Sequence, residues 1–318
     1  MARSTPYKVN DVDKIFVETP EASDFAFAYV VQPSALHAGV FATVSDAIDA
    51  ARADGASTAN PKVILIEGGN YTEDFTIYDG IFLQAAGGRG GSAGEGSVIF
   101  NESSVTVDGS AIACGISGCV FLTAATANTI IQTGVPSSTD LRIENCDIEQ
   151  TGGGTAVSFG GNSLQVVNSL IEGAIGIDLS LGQLVVQLSA IVSLGTCGIN
   201  IQTGTTFVTI AFTEVDSIGG TCIAKTGSAV VTVVDSIIGQ FSTSSNGISI
   251  VGTQGSMTVA NVLFNVAVGA SNRAISGQSG SVLNWGGLTF LPSTNKKVAT
   301  TTMGASAVHM VVDSITAV

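Results

Sequence analysis

One eight-residue pattern of apolar and polar positions recurs six times between residues 141 and 264. Apolar residues occupy its first, third and eighth positions, and this period of two predicts a strand with one buried face. Successive copies start 23, 20, 24, 23 and 26 residues apart, at Leu141, Leu164, Leu184, Val208, Val231 and Met257. A loose period of this length is typical of stacked β turns, which share one core because no single turn can bury its own apolar face.

The pattern also predicts a tight corner in each copy. The fifth position is Asn or Asp in four of the six copies, at Asn145, Asn168, Asp235 and Asn261. Such side chains stabilise corners because they bond to local backbone and tolerate left-handed conformations. The sixth position is always small or of modest size, and Gly-containing spacers with a second short apolar run follow. Two or three short strands therefore complete one turn.

These turns predict an all-β fold, a parallel β-helix whose turns stack at the strand spacing of about 4.8 Å. Looser copies upstream, from Val63, Phe75, Val105 and Ile116, bring the expected total to about nine or ten rungs. A short capping helix is predicted before them, because apolar residues recur at helical spacing between Ser45, a candidate N-cap, and Gly55. Its apolar face comprises Val44, Ala47, Ile48 and Ala51.

The ends of the chain depart from the repeat and divide it into three parts. Residues 1–38 carry many charges and are interpreted as an N-terminal attachment segment. Residues 39–287 comprise the β-helix with its capping helix. Residues 288–318 comprise a polar linker and a non-repeat C-terminal strand, which we expect to serve in oligomerisation.

Composition agrees with a β-rich fold and limits the partners. The 318 residues are 45% hydrophobic and only 11% charged, and 39 of them are Gly. The net charge of −14 argues against nucleic acid as a partner, because phosphate binding requires clustered Lys and Arg. No apolar run reaches the roughly 18 residues of a membrane span, so we expect no membrane insertion. The N-terminus lacks the apolar stretch of a cleaved secretory leader.

The five cysteines are odd in number and lack paired metal-ligand spacing. Cys197 and Cys222 each end a Gly-Thr-Cys tripeptide in consecutive turns. Free Cys is usually buried, so the favoured interpretation is small residues stacked in the core. A disulfide or a metal site is the alternative.

The segment from Phe41 to Gly88 contains a helix pattern, an apolar strand, a G-x-Y-x-E turn and a further strand that ends in a Gly-rich bend; the turn comprises Gly69, Asn70, Tyr71, Thr72 and Glu73. This segment resembles the start of pectin lyase-like β-helix proteins, including pectinesterases. The resemblance implies a right-handed parallel β-helix. It implies no single activity, since this superfamily includes lyases, hydrolases, esterases, phage tailspikes and viral structural proteins.

The catalytic contexts of the related enzymes are missing from the sequence. Pectinesterases place two Asp and an Arg in Gln-Asp and Asp-Phe-x-x-Gly contexts, and neither occurs here. Pectate lyases require an Arg base beside calcium-binding Asp residues, whereas the rung arginines Arg142 and Arg273 are far apart in sequence. His37 and His309 lie outside the repeat, which argues against imidazole chemistry. We therefore expect no catalytic residues and no cofactor, with Ca²⁺ as the one ion to consider.

One acidic cluster is the candidate site. Asp147 and Glu149 lie two residues apart on one strand face, and Glu172 is the counterpart of Glu149 one turn later, so we expect the three carboxylates within about 5 to 7 Å of each other. They are interpreted as a solvated acidic face, as a Ca²⁺ site of hard oxygen ligands, or as paired carboxylates for glycoside hydrolysis. The first interpretation is favoured by further acidic residues on later turns, namely Asp178, Glu214 and Asp216.

The sequence is best interpreted as a non-catalytic structural virion protein, a spike, fibre or capsid-associated β-helix that forms a homotrimer. Its expected partners are its own copies, other virion or capsid proteins and host-surface glycans. One alternative is a polysaccharide-binding or polysaccharide-degrading β-helix. Another is a bacterial surface adhesin, which would be extracellular or at the cell surface.

Overall fold

The computed structural model describes residues 29–33, 40–87, 96–132, 138–242, 245–251, 255–266, 273–277, 282–291 and 316–317. The helix α1 spans Val44–Ala53, and no helix in these ranges is long and apolar enough to cross a bilayer. The strands are β1 (Tyr29–Val31), β2 (Val40–Phe41), β3 (Lys62–Ile66), β4 (Gly69–Tyr71), β5 (Phe75–Ile77), β6 (Ile81–Ala85), β7 (Val98–Asn101), β8 (Val105–Val107), β9 (Ala113–Ser117), β10 (Cys119–Thr123), β11 (Ile130–Gln132), β12 (Asp140–Glu144), β13 (Asp147–Gln150), β14 (Thr155–Phe159), β15 (Ser163–Val167), β16 (Leu170–Gln187), β17 (Ala190–Ala211), β18 (Glu214–Ser217), β19 (Thr221–Thr226), β20 (Val230–Val234), β21 (Ile237–Gln240), β22 (Asn246–Val251), β23 (Ser256–Ala260), β24 (Leu263–Val266), β25 (Arg273–Gly277), β26 (Val282–Gly286), β27 (Thr289–Leu291) and β28 (Thr316–Ala317).

The strands form three ladders in which every strand pairing is parallel. Ladder one joins β2, β1, β3, β6, β9, β12, β15, the last parts of β16 and β17, β20, β23 and β26. Ladder two joins β4, β7, β10, β13, the first parts of β16 and β17, β18, β21, β24, β27 and β28. Ladder three joins β5, β8, β11, β14, the middles of β16 and β17, β19, β22 and β25. The fold is an all-β parallel β-helix in which nine described turns contribute to all three ladders.

The six repeat copies lie in register along the coil, as the apolar pattern predicted. Their first and third positions point inward from ladder one, and Leu141 pairs with Leu164, which pairs with Leu184. The eighth position points inward from ladder two, at Ile148, Ile171, Ile191, Val215, Ile238 and Phe264. All of these side chains are buried in one continuous core. Near the capped end the core is aromatic, and the rings of Phe100 and Phe121 stack with centroids 4.9 Å apart.

The predicted corner separates ladder one from ladder two in each copy. The fifth position has a positive φ in all six copies, at Asn145, Asn168, Leu188, Phe212, Asp235 and Asn261. Asn168 Nδ2 donates to Asn145 Oδ1 at 2.6 Å, so amide side chains bond between turns. At the sixth position, Ser169 Oγ donates to the Val167 carbonyl at 2.8 Å and accepts the Cys146 amide at 3.1 Å. Hydroxyls at this position satisfy corner backbone groups, which explains why four of the six copies have Ser or Thr there.

The capping helix has the predicted apolar face, but its N-cap is Thr43 and not Ser45. The Asp46 amide donates to Thr43 Oγ1 at 3.1 Å, the contact expected of an N-cap side chain. Gly55, with a φ of 75°, follows the helix as predicted. The side chains of Val44, Ala47, Ile48 and Ala51 are buried against the first turns.

Glu73, the last residue of the G-x-Y-x-E turn, fixes this helix to the coil. Its carboxylate accepts the Val44 amide at 2.8 Å, the Ser45 amide at 3.1 Å and the Ser45 hydroxyl at 3.0 Å. The first amides of a helix have no intrahelical partner, and a negative charge beside them is favourable. The turn therefore has a structural role here.

The two ends of the coil differ from the sequence interpretation in one respect each. Strand β1, Tyr29–Val31, pairs with β3 and belongs to ladder one, although it lies within the predicted attachment segment. Strand β28 pairs with β27 of the same chain, whereas the sequence suggested exchange with a neighbouring subunit. Residues 1–28 and 292–315 lie outside the described ranges, so the attachment and oligomerisation roles of the ends stay predictions.

All five cysteines are free and buried, and burial raises the pKa of each thiol. The favoured interpretation of buried core residues is confirmed. The predicted stacking of Cys197 on Cys222 is wrong by one position, because Cys197 pairs with Thr221. The two Gly-Thr-Cys tripeptides are therefore staggered.

Ile171→Asp should unfold the coil. Ile171 is fully buried in the shared core, so an unpaired carboxylate there should destabilise the fold by several kcal/mol. Thermal and urea denaturation followed by circular dichroism would measure the loss. Gln165→Asp, on the outer side of β15, is the matched control. A cooperative Ile171→Asp protein with the parental midpoint would show that this row is not the core.

Glu73→Gln should loosen the capping helix. The change removes the charge and one of the two acceptor oxygens beside the helix N-terminus, at a cost of about 1–2 kcal/mol. Hydrogen exchange at Val44 and Ser45 and the unfolding midpoint would both report it. Asp49→Asn, on an exposed side of the same helix, is the control. Unchanged exchange at both amides would contradict the role assigned to Glu73.

Candidate functional site

The three carboxylates singled out from the sequence lie together on the outer face of ladder two. Asp147 and Glu149 belong to β13, and Glu149 pairs directly with Glu172 on the next turn. Paired residues on adjacent strands are about 4.8 Å apart at the backbone, and side chains two residues apart share a face. The structure thus brings Asp147, Glu149 and Glu172 into one acidic cluster.

Asp147 is the buried member of this cluster. It is only 7% exposed, because its neighbours in the row are Val120 on one side and Leu170 on the other. Its Oδ1 is buried without a hydrogen-bond partner in the described chain. Burial, and after it the charges of Glu149 and Glu172, raise the pKa of Asp147 to about 6. The pKa of Glu172 is raised in the same way, first by burial and then by Glu149.

A second carboxylate pair, Glu214 and Asp216, lies on β18 of the same face, two turns beyond Glu172. Burial and the charge of Glu214 raise the pKa of Asp216 to about 6, while the Gly239 amide lowers it in part. The Asp216 carboxylate lies over Gly239, where a Cβ would be 2.0 Å from Asp216 Oδ1. Glycine at position 239 therefore leaves the space that this carboxylate fills.

Other residues considered in the sequence lie elsewhere and already have structural partners. Arg142 is on ladder one and forms an ion pair with Glu144 at 2.9 Å. Asp178 is on ladder three, where its Oδ1 accepts the side-chain amides of Asn200 at 2.8 Å and Gln202 at 2.7 Å. The structure therefore brings neither Arg142 nor Asp178 to the acidic cluster. His37 and His309 lie outside the described residues.

The acidic cluster does not form a metal cage. Within the described ranges, no group of three or more His, Cys, Asp or Glu side chains is arranged to hold a metal ion. Calcium binding by Asp147, Glu149 and Glu172 therefore stays a prediction. Two adjacent carboxylates of which one is readily protonated are also what glycoside hydrolysis requires, but that chemistry depends on a bound sugar between them.

Two features of the structure were missed by sequence reasoning. Lys225 points into the core between Ile201 and Ile250, and its Nζ donates to the Gly227 carbonyl at 2.8 Å. Burial lowers the pKa of Lys225. The sequence does contain a signal for this burial. Side chains alternate between the inner and outer faces of a strand, so Lys225, two residues after the apolar Ile223, lies on the inner face.

The second missed feature is an apolar surface on the middle turns. An open groove follows the corner between ladders one and two and includes Leu170, Leu188, Ala190, Phe212 and Ile237 in its lining. Leu188 and Phe212 occupy the corner position that is Asn or Asp in the other copies. The substitution is visible in the repeat, but only the structure shows that both side chains are exposed.

No protein-family model and no curated protein matches the chain. Two solved structures are similar to it over most of its length. The pectin methylesterase from Aspergillus niger in deglycosylated form is 13% identical, with a TM-score of 0.38 over 83% of this chain and 77% of that chain. A pectin methylesterase mutant in complex with a hexasaccharide is 14% identical, with a TM-score of 0.40 over 84% of this chain and 79% of that chain.

Acidification from pH 7.5 to 4.5 should stabilise the fold. Asp147 and Asp216 have folded pKa values of about 6 against an ordinary value of 3.8, so the folded state binds their protons more tightly. Well above pH 6 both carboxylates are ionised and destabilise the fold fully. Protonation relieves this destabilisation as the pH falls towards 4, by about 1–2 kcal/mol for each group. The pKa values of Asp79 and Asp108 are lowered in the fold, so protonation of these two groups reduces stability only below about pH 4.

Thermal melts across this pH range would test the effect. Asp147→Asn should raise the midpoint at pH 7.5 and flatten its pH dependence, whereas Asp49→Asn should do neither. An unchanged pH profile in Asp147→Asn would refute the raised pKa assigned to Asp147. The same melts with added calcium test the metal interpretation, which predicts a stabilisation that disappears in Glu149→Gln and Glu172→Gln.

Proposed function

We propose that this chain is a non-catalytic structural protein, a β-helical rod that assembles as a homotrimer within a virion, as a spike, fibre or capsid-associated component. Its copies pack side by side, and the N-terminal segment attaches the rod to other virion or capsid proteins. The chain needs no cofactor for this role.

The observation that carries the proposal is that polar groups considered for chemistry are bonded within the coil itself. Glu73 anchors the capping helix, Arg142 pairs with Glu144, and Asn200 and Gln202 hold Asp178. Each of these groups is engaged in bonds within the coil. The continuous core adds support, because stacked turns form a stiff, extended scaffold.

The viral assignment is supported by the resemblance to a superfamily that includes phage tailspikes and other viral structural proteins. A trimer is supported by the exposed apolar side chains of the middle turns, since large exposed apolar patches usually mark contacts with other molecules.

Light scattering of the purified full-length protein should give the mass of a trimer. Deletion of residues 295–318 should yield monomers or aggregates, because it removes β28 from the end of ladder two. Mass spectrometry of purified particles should find the chain in the particle fraction and not in the secreted fraction. A monomer at about 50 μM that is absent from particles would contradict the proposal; stable association requires a dissociation constant well below that concentration.

A polysaccharide-binding or polysaccharide-degrading protein is the second candidate. It is favoured by exposed Phe212 and Phe241 near the carboxylates of Glu214 and Asp216, since a ring face and hydrogen-bond acceptors together suit a sugar. Incubation with pectin and polygalacturonate would distinguish the candidates. Turnover that disappears in Glu149→Gln or Glu172→Gln would favour the enzyme, and our proposal predicts none.

A further inference from the structure

Five of the ten large apolar side chains that are exposed among the described residues lie in two columns, one at each edge of ladder two on neighbouring turns. The corner column comprises Leu188 and Phe212, which are 62% and 60% exposed. The bend column comprises Leu194, Ile218 and Phe241, which are 37%, 55% and 50% exposed. Hydrogen bonds between turns align both columns. In the bend column the Ile218 amide donates to the Ser193 carbonyl and the Phe241 amide to the Ser217 carbonyl, both at 2.9 Å. In the corner column the Leu188 amide donates to the Ala211 carbonyl at 3.3 Å.

The corner column is costly for the isolated chain. Leu188 and Phe212 have φ values of 52° and 51°, in the left-handed region that other copies fill with Asn or Asp. A bulky residue there costs about 1 kcal/mol or more, and Asn at neighbouring corners gains a bond between turns that Leu and Phe cannot make. Because these side chains are exposed in the single chain, no apolar burial offsets the backbone cost. A contact that covers them would provide that burial.

We propose that the corner column and its groove receive the bend column of a second copy of this chain, and that three such contacts close a ring. This inference rests on the proposed trimer and names its surface. The two columns lie on successive turns of the same part of the coil, so they match in height when two rods stand side by side. Leu194 lies six positions after Leu188, which places the columns at most about 20 Å apart across one face.

The amount of surface fits an interface between copies. If a large side chain presents about 200 Å² when fully exposed, the five side chains expose roughly 500 Å² on each copy. One contact would cover that apolar area as the centre of an interface of standard size, about 1,200–2,000 Å² in total. A two-fold dimer would pair the two columns reciprocally, but it would press two acidic ladder-two faces together. The contact is therefore heterologous, and three copies make the smallest ring that closes it.

The face of ladder two between the columns is acidic, which limits how closely two copies can pack there. Glu214 and Asp216 lie there, and in the ring they would line the space around the three-fold axis. Like charges disfavour close packing of this face, so the contact must be carried by the apolar columns at its edges.

Two single variants and their mixture test the proposal by light scattering and native mass spectrometry. Phe212→Asn suits the left-handed corner and should keep or raise the unfolding midpoint, so loss of assembly would not reflect misfolding. Phe241→Ser removes the largest member of the bend column. Each variant alone should be monomeric, with association weakened at least about tenfold. Ile112→Ser, at an exposed apolar residue beside ladder one, is the control and should remain trimeric.

The mixture gives the sharpest result. Phe212→Asn keeps an intact bend column and Phe241→Ser keeps an intact corner, so the mixture should form heterodimers that do not close into rings. Variants that remain trimeric would overturn this surface while leaving the proposed function standing. A mixture without heterodimers would overturn the heterologous contact. A monomeric parent protein would overturn both proposals, and loss of polysaccharide binding in Phe212→Asn would then assign the surface to a glycan.

Discussion

Parallel pairing of each turn with the next is the constraint on which the whole structure depends. A turn has too few residues to enclose a core, so its apolar side chains are buried only when the turns above and below hold the same register. The inward row Ile148, Ile171, Ile191, Val215 and Ile238 shows this condition met on five successive turns. The open ends must then be covered separately, by α1 at one end and by β28 on ladder two at the other.

The corner between ladders one and two is where the register is enforced and where variation is tolerated. Hydroxyls such as that of Ser169 satisfy backbone groups inside the corner. The adjacent left-handed residue points outward and can change without disturbing the core. Asn and Asp there bond between turns, whereas Leu188 and Phe212 present apolar surface. The same backbone position thus serves stability in some turns and is available for contact with partners in others.

The pKa values of the carboxylates on the outer face of ladder two depend on neighbouring side chains more than on solvent. Asp147 lies between aliphatic side chains, and Asp216 fills the space above Gly239. Burial raises both pKa values, and a neighbouring acid raises each further. An acidic surface of this kind makes the coil sensitive to pH near neutrality without requiring a catalytic arrangement.

The sequence by itself determined the strands, the corners, the capping helix and the common register, because a period-two pattern repeated at nearly constant spacing has one stacking that buries every copy. It also placed Asp147, Glu149 and Glu172 together, since residues at equal positions in adjacent copies must pair. Only the tertiary structure decided the N-cap Thr43, the role of Glu73 and the burial of Lys225, which depend on contacts between segments far apart in sequence. It also decided the exposure of the two apolar columns, because whether Leu188 or Phe241 faces water depends on the curvature of the chain at a bend.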